Sequence, residues 1–99
     1  MDNSKPFQIR TATTGNITDA TSLWLRAGRK LRVETGSYKS YPHARPVEPS
    51  YTTARGLHFC GGKWREVLPW HAVPYIESEA DTEAAHAAIV DRVVEFLAA

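Results

Sequence analysis

The sequence predicts an α+β fold: a small, mostly antiparallel sheet of five to six strands, or a half-barrel, covered by one C-terminal α-helix. Three observations carry this expectation. Two alternating runs, Thr53–Phe59 and Lys63–Leu68, flank Cys60-Gly61-Gly62, whose glycines suit a two-residue hairpin loop. A second pair, Thr21–Arg26 and Arg29–Thr35, brackets Ala27-Gly28. The stretch 78–99 holds the one strong helical stripe, Ile89, Val93 and Phe96 with Val90 and Leu97.

Taken in order, residues 1–5 are polar and expected to be disordered. Phe7, Ile9 and Thr11 alternate with Gln8 and Arg10, the period of a strand, and Gly15-Asn16 marks a turn. In the next run Leu23 and Leu25 share one face, Trp24 and Arg26 the other. A helix over 18–30, capped by Thr18 or Asp19, is the competing reading; Gly28 and the β-branched residues favour strand. Residues 36–52 form a Pro-rich loop with Pro42, Pro46 and Pro49, which exclude a helix or a central strand. Lys63–Leu68 should stop at Pro69, and 70–77 should be a further extended run, an edge or bulged at Pro74. The final helix starts at Ser78 or Asp81, with Glu79, Asp81 and Glu83 in its first turns, where the helix dipole favours anions. Ala84, Ala85, Ala87 and Ala88 permit close approach to a sheet, and Ile89, Val93, Phe96 and Leu97 should be buried there.

A chain of 99 residues with 42% hydrophobic residues makes one domain and one core. One cysteine excludes an internal disulfide framework and suits a reducing, cytoplasmic setting. No apolar run is long enough to span a membrane, and residues 1–10 lack the apolar stretch of a signal peptide. Net charge is +1, unevenly spread: 1–76 carry eleven Lys/Arg and five Asp/Glu, while 77–99 carry one Arg and six Asp/Glu. A basic body with an acidic helix is the electrostatic outline; the helix neutralises the body it packs on.

Signals for chemistry are sparse. His58 and Cys60 share a strand face, and His71 is a third metal-ligand type, but nothing completes a tetrahedral set. As a Cys–His nucleophile pair they lack an orienting group and an oxyanion site. No phosphate loop or dinucleotide motif is present. The expectation is therefore a non-enzymatic protein with no catalytic residues, no metal and no cofactor.

Binding residues are sought in the basic, aromatic stretch 36–55: Tyr38, Lys39, Tyr41, Arg45 and Arg55. Its prolines hold it extended at low entropic cost, Tyr gives contact area and Arg directional hydrogen bonds. Trp24 joins them, as the tryptophan expected to be partly exposed beside Arg26, whereas Trp64 is expected in the core. The leading reading is a small binding or regulatory protein acting through a protein–protein surface, on the scale of phage or prophage accessory proteins. The alternatives are a nucleic-acid-binding module using 36–55, since Lys/Arg with Tyr suits phosphate contact and base stacking, or a structural assembly subunit. An open sheet face also makes a homodimer an expected arrangement.

The run of strands, the Gly61-Gly62 hairpin, the Trp64 strand and the closing helix resemble the rhythm of bacterial pleckstrin-homology-like domains over the C-terminal half. The resemblance carries no ligand site.

Overall fold

The computed structural model describes residues 5–41, 43, 45, 46 and 48–99. Among them are β1 (Gln8–Thr14), β2 (Ile17–Arg26), β3 (Arg29–Tyr38), β4 (Tyr51–Cys60) and β5 (Lys63–Val73), then a 3-10 turn (Glu79–Asp81) and helix α1 (Thr82–Ala98). The five strands lie in chain order, each antiparallel to its neighbour, in one open sheet. The α+β expectation holds, with an open sheet in place of a half-barrel. The disorder expected at 1–5 falls, up to residue 4, outside the described residues.

Two-residue loops join the first three strands and the last two. Ala27-Gly28 and Gly61-Gly62 hold positive φ at both positions (51° and 70°, 62° and 80°), the mirror-image turn whose twist matches the flanking strands. The strands of the first two hairpins run longer than the sequence suggested. β3 continues to Tyr38 and β4 begins at Tyr51, so the irregular loop shrinks to 39–50. Pro42, Ala44 and Val47 lie outside the described residues. The loop closes on itself, because Ser40 N–H donates to Ser50 Oγ at 3.0 Å.

Pro69 does not stop its strand; β5 runs on to Val73, and Pro74 follows it. A proline is tolerated there because β5 is an edge, with one side needing no N–H donor. The β4–β5 register shifts between Ala54 and Gly56 and again between Gly56 and Leu57. These bulges turn both Val67 and Leu68 toward the core.

The core lies between α1 and one sheet face. Registers Ala20↔Thr35, Ser22↔Val33 and Trp24↔Leu31, then Thr35↔Ala54 and Val33↔Gly56, place these side chains on the helix side. Trp24, Leu31, Val33, Ala54, Ile89, Val90 and Val93 form the buried cluster. Trp24 is fully buried, not partly exposed, and Leu23 and Leu25 point away from the helix. Arg26 stacks on Trp24, 5.3 Å from the ring centre, and pairs with Asp91 at 3.0 Å, tying the sheet to the helix. Phe96, expected in the core, is 60% exposed. It lies off the line Thr82–His86–Val90–Val93–Leu97, where the helix meets the sheet.

Gly56 permits the closest approach of helix and sheet: a Cβ there would collide with Val93 Cγ2. Gly56→Ala should therefore destabilise by about 1–3 kcal/mol through overpacking. An unchanged midpoint in urea unfolding would contradict this packing.

A polar network sits within the core. Trp24 Nε1–H donates to Ser22 Oγ at 2.6 Å, Ser22 Oγ meets His86 Nδ1 at 2.5 Å, and Thr35 Oγ1 meets His86 Nε2 at 2.8 Å. The indole can only donate, so Ser22 accepts from it. A neutral imidazole completes the chain with Ser22 O–H donating to Nδ1 and Nε2–H donating to Thr35. Burial pushes the His86 pKa down from 6.5 to about 4. Between those values the unfolded chain binds the proton and the folded chain does not, so stability rises with pH across the window. It is fully present above pH 6.5 and falls by about 3 kcal/mol as pH drops toward 4. His86→Gln should flatten that part of the pH–stability curve, and parallel curves for the two proteins would refute the assignment.

Candidate functional site on the uncovered sheet face

The helix covers one face of the sheet and leaves the other open. Cross-strand register fixes what that face carries: Arg32↔Leu57, Glu34↔Arg55 and Tyr38↔Tyr51 between β3 and β4, then Leu57↔Glu66 and Phe59↔Trp64 between β4 and β5. Charged and aromatic side chains interleave across it. Glu34 is the hub: it accepts from Arg55 Nε on one side and from Arg32 Nη2 at 2.6 Å on the other. Arg55 also reaches Glu66 at 3.4 Å.

Three cations of the face lie against rings, and Arg10 stands beside them on β1, opposite Thr21. Arg55 is 5.1 Å from the Trp70 ring centre, Arg32 is 5.9 Å from Trp64, and Lys30 is 5.5 Å from Phe59. Phe59 and Trp64 meet edge-on at 5.4 Å. Trp64 thus belongs to the open face, half-buried, and not to the core. Trp64 and Trp70, six residues apart, share this face by alternation, and the two β4–β5 register shifts bring Trp70 opposite Arg55 instead of Thr53. Despite these contacts the outer rings remain accessible: Phe59 is 43%, Trp70 50% and Tyr51 53% exposed. Arg55, held by Glu34 and Glu66, and Arg32, paired with Glu34 through Nη2, lie between these aromatic knobs.

The residues singled out from sequence separate into three places. Tyr38 and Arg55 join the open face, where Tyr38 and Tyr51 rings sit 5.5 Å apart. Burial, then the facing Glu48 carboxylate, raises the Tyr38 phenol above its ordinary value. Tyr41 and Arg45 are exposed on the loop. Lys39 goes to the helix side: its N–H donates to Asn16 O at 2.9 Å and its carbonyl accepts from Asn16 Nδ2 at 2.6 Å. There it lines a cleft of about 210 Å3 with Thr13, Thr18, Thr35, Ser37 and Glu79. Trp24, in the core, reaches no surface. Phe59, Trp64, Trp70, Arg32, Glu34 and Glu66 were not singled out as a site. Strand alternation signals Arg32 with Glu34, but joining them to Trp70 needs the β5 bulges.

Among the described residues no three His, Cys, Asp or Glu side chains are grouped to hold a metal. Cys60 is exposed at the end of β4. His71 donates from Nδ1 to Pro69 O at 2.7 Å and accepts from Arg92 Nη1 at Nε2, 2.9 Å away. The Ser22–His86 pair has the spacing of a nucleophile and base, but both groups are buried beneath the helix. No helix of the described chain is long and apolar enough to cross a membrane.

Comparison with family models, with curated proteins and with solved structures gives no match. The likeness to pleckstrin-homology-like domains therefore rests on the rhythm of elements alone.

Proposed function

We propose that this chain is a small non-enzymatic binding protein and that its working surface is the uncovered sheet face, which takes a protein partner. One observation carries the reading: three exposed rings, Phe59, Trp70 and Tyr51, interleave with arginines already neutralised by Glu34 and Glu66. Exposed Trp, Tyr and Arg are the residue types that concentrate binding energy in protein interfaces. Pairing with carboxylates lowers the pull of Arg32 and Arg55 on phosphates and leaves shape and ring contact to dominate.

The rings also favour a second reading, a single nucleic acid strand stacked on the face with Lys30 and Arg10 against its backbone. Capture from an extract of the source cells, with and without nuclease and over a salt series, separates the two. A protein partner should survive nuclease and moderate salt. The double variant Phe59→Ala/Trp70→Ala should weaken its capture about tenfold or more, while Tyr41→Ala/Arg45→Ala leaves it unchanged. Capture that vanishes with nuclease and falls steeply with salt would replace the protein reading by the nucleic acid one. Capture equal for both double variants would remove the face from consideration.

A further inference from the structure

The two edges of the sheet differ. The β5 edge carries Pro69 and two register shifts, devices that blunt an edge against pairing. The β1 edge, Gln8–Thr14, is a regular strand without proline, in unbroken register with β2. Thr14 and Ile17 flank a two-residue loop and so form a hydrogen-bonded pair; by alternation Ala12 and Arg10 also bond inward. Ile9, Thr11 and Thr13 then direct their N–H and C=O groups away from the sheet.

Beside this edge, on the helix side, runs a groove of about 230 Å3 lined by Ile9, Thr11, Glu79, Thr82 and Glu83. α1 packs on β2 through β5, which leaves Ile9 exposed along the groove and Phe7 exposed just before the strand. Glu79 accepts from the Thr11 hydroxyl at 2.9 Å, which fixes one carboxylate over the edge. Neither Glu79 nor Glu83 has an ion-pair partner among the described residues.

We infer that β1 is a strand-addition site for an extended basic segment of another protein. Its backbone pairs with Ile9, Thr11 and Thr13, and its Lys or Arg side chains, at every second position, lie in the groove against Glu79 and Glu83. Charge complementarity selects this occupant over a second copy. A twofold axis beside β1 would put both helices on the same sheet face and bring the two acidic N-terminal turns together. The inference concerns a different surface from the open face and does not depend on it.

The probe is a synthetic eight-residue peptide of alternating lysine and threonine, with a glutamate-for-lysine twin as control, titrated into the full chain while amide shifts are followed. The lysine peptide should shift Ile9, Thr11 and Thr13 saturably, and the glutamate twin should not. Glu79→Gln/Glu83→Gln, two exposed positions, should weaken the lysine peptide at least fivefold with the fold intact. Thr11→Pro, which removes an outward N–H, should abolish it. Shifts confined to other strands, equal response to both peptides, or indifference to the glutamine variant would overturn the inference. So would a chain that sediments at twice 11.0 kDa and becomes monomeric on Ile9→Lys, which would assign the edge to a second copy.

Discussion

Val93→Asp should abolish cooperative folding or lower its free energy by several kcal/mol. Val93 is fully buried in the contact between helix and sheet, and its Cγ2 lies directly over Gly56. An aspartate there has no cation within the cluster, which is lined by Trp24, Leu31, Val33, Ala54, Ile89 and Val90. Burying an unpaired carboxylate, or protonating it in place, costs more than losing two methyl groups. The companion Phe96→Asp, on the exposed side of the same helix, should change stability by less than about 1 kcal/mol. Chemical denaturation of both variants checks the pair; equal effects would mean that the helix packs by another face.

Trp24→Ala should cost about 3–5 kcal/mol. The ring is the largest side chain in the core and is fully buried. Its loss opens a cavity and also removes the one donor that orients Ser22, so the Ser22–His86–Thr35 chain loses its direction. Trp24→Phe retains most of the volume and isolates the second effect, which should appear as a loss of about 1 kcal/mol from the missing hydrogen bond. A Trp24→Ala protein as stable as the parent would contradict the core described above.

Much of the fold was legible because its signals are local. Ala27-Gly28 and Gly61-Gly62 demand turns, and alternation on either side supplies the strands. The helix announces itself by its stripe and its acidic start, with Ser78 Oγ capping the 3-10 turn by accepting from Ala80 N–H. What failed were choices between faces. Alternation separates Leu23 and Leu25 from Trp24 and Arg26 but does not say which pair turns inward. That is decided across the sheet, where Trp24 meets Leu31 and Ser22 meets Val33, and by His86 arriving from the helix. His86 itself stands three residues before Ile89 and four before Val90, a spacing that marks it as part of the buried stripe. Phe96 suits the stripe by hydrophobicity alone, yet the sheet contact follows Val93 to Leu97.

The candidate site was less legible, for a related reason. Tyr38 and Arg55 were found because they are conspicuous residue types near a Pro-rich loop. The Arg55 partners Glu34, Glu66 and Trp70 come from two other strands, Glu34 from β3 and the other two from β5. The β5 bulges alone bring Trp70 over Arg55. A bulge is set by how Val67 and Leu68 fill the space beside Gly56, a packing outcome with no signature in a single strand.

The claim that the uncovered face binds a protein is tested most directly by hydroxyl-radical footprinting of the chain, free and in its captured complex. Phe59, Trp70 and Tyr51 are reactive, exposed rings on that face, while Tyr41 and Phe96 are equally exposed elsewhere. The account predicts strong protection of the first three in the complex and no change at Tyr41 and Phe96. Protection at Tyr41 or Phe96 with Phe59 and Trp70 unchanged would contradict it.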